Sequence, residues 1–149
     1  MLLTATRKEL NDMPKKKSTR RRGLTFEDVR NIALSMPEVE ETTSWGMPSF
    51  KASKTIFAIE PHPRPDVAPN SVGVPMSFEE RERRLDAHPE IYYLTDHWAK
   101  YPGVLVRLSS IGRDELREIL SAAWHHTMER ISARKARSKT KARTRRGRR

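Results

Sequence analysis

The side chains with the clearest chemical capability in this sequence are cations. Arg134, Lys135, Arg137, Lys139, Lys141, Arg143, Arg145, Arg146, Arg148 and Arg149 follow Ser132, separated only by Ala, Ser, Thr and Gly. No carboxylate interrupts them. Such a chain can track a phosphate backbone without a fold. Engaging ~6–10 phosphates would make affinity fall by ~10³–10⁵ between low and moderate salt. Nothing in the run suits base-edge hydrogen bonding, so little sequence preference is expected. Lys15, Lys16, Lys17, Arg20, Arg21 and Arg22 make a second arm. Two arms on one body could bridge or wrap a duplex, because linked contacts raise effective concentration. The plain alternative is a solubilising, polyanion-sticky tail, since charge patterning specifies only a class of partner.

Catalytic chemistry is thin. His62, His88, His97, His125 and His126 are scattered. His125 and His126 point about 100° apart on a helix and cannot chelate as an i,i+4 pair does. There is no Gly-rich phosphate loop, no nucleophile motif and no HExxH. With no cysteine, disulfides and zinc–thiolate sites are excluded. The expectation is a non-enzymatic protein with no cofactor and no metal.

The formal charge of +11 is unevenly spread. Residues 1–22 carry net +6, residues 23–132 net −5 and residues 133–149 net +10. The chain therefore divides into a basic N-terminal arm (1–22), a mildly acidic folded domain (23–132) and a basic C-terminal tail (133–149). Both basic segments lack apolar periodicity and are expected to be disordered. No apolar run approaches a membrane span, and the start is too short for a signal-peptide core. The expected setting is the bacterial cytoplasm, at the nucleoid, with a monomer favoured. Met13 opens Met-Pro-Lys-Lys-Lys and is a candidate alternative start.

Within the domain, Thr25 and Asp28 are spaced as a capping box. Phe26, Val29, Ile32, Ala33 and Met36 then recur at helical spacing up to Pro37. Strands are expected at 42–45, 48–52, 55–60 and 71–76, with a tight Ser53-Lys54 turn. Residues 61–70, with four prolines, read as a stiff hairpin tip. Ser77 caps a second, surface helix with Glu79–Arg83 and Glu80–Arg84 at i,i+4 spacing. Two further strands, 91–95 and 103–108, precede a last helix over 113–131. Its stripe is Leu116, Ile119, Leu120, Ala123, Trp124, Thr127 and Ile131. This order predicts an α+β fold: an antiparallel sheet with two long helices on one face and a short surface helix.

Trp45-Gly-Met-Pro-Ser-Phe50 follows an acidic Pro37–Glu41 stretch, and Lys54-Thr-Ile-Phe57 comes next. Tyr92-Tyr93-Leu-Thr-Asp-His97-Trp98 leads into Tyr101-Pro102-Gly-Val-Leu-Val-Arg107, and an Asp114-Glu-Leu-Arg-Glu-Ile-Leu helix closes the pattern. Over residues 24–130 this resembles the MmcQ/YjbR family. The resemblance implies a CyaY/frataxin-like architecture and DNA binding by a double wing of β-hairpins. It turns the expected partner towards DNA, although RNA is an equal electrostatic target. The loop at 61–70 looks longer than the family's turn there, and the basic tail lies beyond the family domain.

Among domain cations, Lys51, Lys54, Lys100 and Arg107 are the best DNA-contact candidates, because they lie on or beside strands and lack the ion-pair partners of the second helix. Arg81, Arg83 and Arg84 read as ordinary surface charge. A competing reading is a small-ligand or protein-interaction module, with a pocket built from Trp45, His97, Trp98 and Tyr101. A third would use Glu27, Asp28, Glu38, Glu40 and Glu41 for a metal, by fold-level analogy only.

Overall fold

A computed structural model describes residues 23–147. The N-terminal arm, with Met13 and Lys15 to Arg22, lies outside the described residues, as do Arg148 and Arg149.

Helix α1, Phe26–Leu34, begins where the sequence places it: the Thr25 N–H donates to Asp28 Oδ2 at 2.8 Å. Val29, Ile32 and Ala33 are its buried face. Strand β1, Val39–Ser44, starts earlier than its composition suggests. It turns through Trp45-Gly46 into β2, Met47–Ala52, and β2 turns through Ser53-Lys54 into β3, Thr55–Ile59. Both turns have positive φ at both central residues (52° and 79°, then 46° and 72°). That is the hand a two-residue hairpin loop needs to match strand twist. Gly46 adopts it freely, whereas Trp45 holds a conformation that bulky residues rarely take.

The proline-rich loop joins antiparallel neighbours, as a hairpin tip does, but is tied to the sheet near its end. Strand β3 pairs with β4, Ser71–Pro75, only at Ile59↔Gly73. The loop between them folds back, and the Ala68 N–H donates to the Tyr93 hydroxyl at 2.9 Å. Tyr93 belongs to β5, Tyr92–Tyr93, which pairs with β6, Gly103–Arg107. The six strands form one antiparallel sheet in the order β1-β2-β3-β4-β6-β5. With its helices this is an α+β fold.

Strand alternation assigns the two faces. Val104 and Val106 point to the main core, with Val72, Val74, Phe50 and Phe57. Helix α1 and the first half of the last helix cover that face through Val29, Ile32, Leu116, Ile119 and Leu120. Helix α2, Phe78–Ala87, is capped as expected, Ser77 Oγ accepting from the Glu80 N–H at 3.2 Å. Glu80 takes both partners, Arg84 at 2.8 Å and Arg83 at 3.0 Å, so the expected Glu79–Arg83 pair is replaced by Glu80–Arg83.

The second face carries Leu105, Gly73 and Gly103. A one-turn helix that the sequence reading missed, α3, Asp96–Ala99, lies over it. Trp98 rests directly on the two glycines. A Cβ on Gly73 would fall 2.2 Å from the indole, so only glycine leaves room for the ring.

The last helix, α4, is the largest departure from expectation. It runs 34 residues, Arg113–Arg146, without a break. Residues 133–146 are therefore helical, not disordered. They contain neither Gly nor Pro and are rich in Ala, Arg and Lys, all strong helix formers. Cations in the last turn also complement the helix dipole.

Candidate nucleic-acid interface

The extension of α4 is where the described charge concentrates. Thr127 is its last buried residue. Arg134, Lys135, Arg137, Lys139, Lys141, Arg143, Arg145 and Arg146 all lie beyond it and are exposed. At 1.5 Å per residue, Arg146 sits about 28 Å further along the helix axis than Thr127. The last carboxylate of the sequence is Glu129. Thr140 Oγ1 donates to the Ala136 carbonyl and Thr144 Oγ1 to the Thr140 carbonyl, each at 3.0 Å. Both hydroxyls are thus turned onto the helix backbone.

The domain cations behave differently. Lys51 stands opposite Glu40 in the β1–β2 register. Lys54 occupies the β2–β3 turn and Lys100 follows α3; both are exposed. Arg107 is half-buried, its guanidinium 4.1 Å from the Tyr93 ring centre, and it donates to the Pro89 carbonyl at 3.1 Å. It buttresses β5. The strand pairings put Lys51, Lys54 and Lys100 towards one end of the sheet and Arg107 towards the other, so the four do not form one patch.

Arg81, expected from its sequence context to be ordinary surface charge, is buried. It is 7 % exposed. Its Nη1 reaches the carbonyls of Tyr101 at 2.8 Å, Gly103 at 3.3 Å and Ala99 at 3.4 Å, and its guanidinium lies over Phe78. It ties α2 to the α3–β6 connection. Arg84 bonds Glu80 and the Tyr92 hydroxyl. Burial holds the Tyr92 phenol above its usual pKa.

The pocket of Trp45, His97, Trp98 and Tyr101 is not assembled. Trp45 is 76 % exposed on the β1–β2 turn. Strands β2 and β6 lie three strand spacings apart, about 14 Å. His97 and Tyr101 do pair, with ring centres 5.4 Å apart, but Trp98 between them is packed on the sheet. The signal for that packing was available in two strand glycines, which mark close approach of another group.

Four of the five acidic residues of the metal reading, Glu27, Asp28, Glu38 and Glu41, are engaged by neighbours. Arg30 pairs with Glu27 and with Glu41, the latter at 2.8 Å, and these contacts raise its pKa. Asp28 pairs with Arg113 at 2.7 Å, and Glu38 accepts from Ser53 Oγ at 2.6 Å. Among the described residues no group of three His, Asp or Glu side chains is arranged to hold a metal ion. None of the described helices is long and apolar enough to cross a membrane.

A crevice of about 120 Å³ separates α2 from α4, lined by Met76, Glu80, Arg84, Ala123 and His126 among others. His126 Nε2 is buried there without a hydrogen-bond partner. Burial, reinforced by the Arg130 charge, lowers its pKa. A neutral imidazole suits that setting.

Known proteins resemble about two thirds of this chain. Uncharacterised proteins of Mycobacterium tuberculosis and Mycobacterium bovis are each 32 % identical over 115 residues, covering 67 % of this chain and 85 % of theirs. The crystal structure of a Deinococcus radiodurans protein with a domain named DUF419 superposes with a TM-score of 0.55 at 22 % identity. It covers 67 % of this chain and 75 % of that one, a likeness of fold alone. The YjbR family matches residues 34–126, ending one residue before Thr127, the last buried residue of α4. On that match, and on the mycobacterial relatives, the chain belongs to the YjbR family.

Proposed function

We propose that this protein is a non-enzymatic, largely sequence-nonspecific DNA-binding protein whose principal contact surface is the basic extension of α4. One observation carries the reading. Eight exposed cations and no carboxylate occupy residues 133–146, on a helix rooted in the core. The body supplies anchorage and no comparable field, being net acidic over residues 23–132. Lys51, Lys54 and Lys100, at one end of the sheet, are secondary phosphate contacts. Lys15 to Arg22 add a second basic segment in the sequence. Arg107 and Arg81 are structural. A bacterial cytoplasmic, nucleoid-associated setting and a monomeric body accompany this reading.

The test compares the full chain with one ending at Ser132, titrated against duplex DNA over a range of salt. Loss of the extension should weaken binding strongly and flatten the dependence of log K on log salt, since each phosphate contact contributes roughly −0.9 to the slope. Equal affinity and equal slope would remove the extension as the contact surface and leave binding to the N-terminal segment or the body.

A further inference from the structure

The placement of charge around α4 narrows the partner further. At about 100° per residue, the extension's cations do not spread evenly. Arg134, Arg137, Lys141 and Arg145 stack along one flank. Lys135, Lys139, Arg143 and Arg146 stack along another, about 150° away around the axis. The wider of the two intervals between these ridges holds Ala133, Ala136, Thr140 and Thr144, spaced three, four and four residues apart. The two threonines have committed their hydroxyls to backbone carbonyls, so this strip presents methyl groups and no outward donor.

We infer that the extension seats as a helix in the major groove of B-form duplex DNA, each ridge facing one phosphate strand and the Ala-Thr strip facing the base edges. The dimensions agree. A major groove about 12 Å wide and 8.5 Å deep admits one α-helix. Residues 133–146 span about 20 Å, or some six base pairs. Two cationic flanks with a slim strip between them match two phosphate walls and a floor. A strip of methyls makes van der Waals contact with any base pair and reads none of them by hydrogen bonds, which accounts for weak sequence preference. Glu129 lies on the same side one turn before Ala133 and marks where the seated segment must begin. Duplex RNA is excluded as an equal partner, because its major groove is too deep and narrow for side chains to read. A flexible polycation would not discriminate in this way.

The inference rests on the reading that the extension binds DNA, and the experiment separates the two. The full chain is titrated against three 20-base-pair probes of one sequence: duplex DNA, duplex RNA, and DNA whose major groove is filled by glucosylated hydroxymethylcytosine. A Ser138→Pro/Ala142→Pro variant keeps every cation while breaking the helix, and thermal unfolding of its body serves as the control. At least tenfold weaker binding to the RNA and to the filled-groove DNA is expected, and a similar loss for the proline variant on plain DNA. Equal affinity for the three probes, or a proline variant that binds like wild type, overturns groove seating. If the chain ending at Ser132 still weakens in that case, the extension remains the DNA-binding element as a flexible arm. If that truncation also has no effect, both ideas fall.

Discussion

The two halves of α4 are one helix made for two different reasons. From Arg113 to Thr127 it is held by burial: Leu116, Ile119, Leu120 and Ala123 enter the core, and each large side chain there contributes on the order of 1.5–3 kcal/mol. From Ala133 to Arg146 it buries nothing. What sustains that half is intrinsic propensity and continuation from a turn already nucleated by the core. Repulsion between like charges at i,i+4, such as Arg137–Lys141–Arg145, opposes it by ~0.2–0.5 kcal/mol per pair. Charge is used differently too. In the body, Arg30, Arg81, Arg84 and Arg113 are committed to carboxylates or carbonyls. In the extension there is no acid to meet, so its repulsion is left for a polyanion to relieve. One half is a folding element and the other is an available surface.

The largest effect should come from the charges of the extension. Replacing the eight cations from Arg134 to Arg146 with Gln should weaken duplex DNA binding by at least ~10³-fold at about 0.1 M salt, with the thermal midpoint of the body unchanged. A midpoint that moved with the affinity would mean the halves are not independent. Next in size is Gly73→Ala. Its methyl would meet the Trp98 indole and should cost about 2–3 kcal/mol in denaturant unfolding, while DNA affinity per folded molecule stays constant. A smaller effect should follow Ala136→Gly, about 1 kcal/mol of helix propensity. It should appear as lost helical circular dichroism and weaker DNA binding, with no change in the cooperative unfolding of the body. A body-level shift would show that the extension is packed after all.

The smallest expected effect is on pH dependence. The His126 pKa is lowered below its ordinary 6.5 by burial. The unfolded chain therefore takes up that proton first as pH falls, and stability is lost from about pH 6.5 downwards, towards the lower folded value. Comparing wild type with a His126→Leu variant at each pH isolates the contribution of this imidazole. The difference in thermal midpoint should move against wild type between pH 7 and pH 5. A difference that is flat across that range would show that the imidazole is not held neutral.

Much of the body was legible because local chemistry and burial agree there. Thr25 with Asp28, Ser77 with Glu80, and Ser53-Lys54 each announce a boundary by a mechanism that the structure reproduces. Edge strand β1 was partly hidden because Glu40 and Glu41 are exposed and blur the alternation. Helix α3 is one turn long, too short for a 3.6-residue period to register. Its cap is nonetheless in the sequence, Thr95 Oγ1 accepting from the Trp98 N–H at 3.2 Å. The extension was misread for a physical reason: periodicity reports a buried face, and a helix with no buried face has none to show. The cations themselves were legible at once, whereas their arrangement into two ridges follows only when the backbone is known to be helical.

Because α4 passes from core to extension without interruption, body and extension share one rotational setting. Each helical residue turns the chain about 100° and advances it 1.5 Å. The stretch between Thr127 and Arg134 thus works as a gauge. One inserted alanine would swing the body about 100° around the helix axis while every cation kept its place on DNA, whereas seven would bring it back to within about 20°. On that geometry, the number of residues between the last core contact and the first cation would decide which side of the body looks outward from a bound duplex.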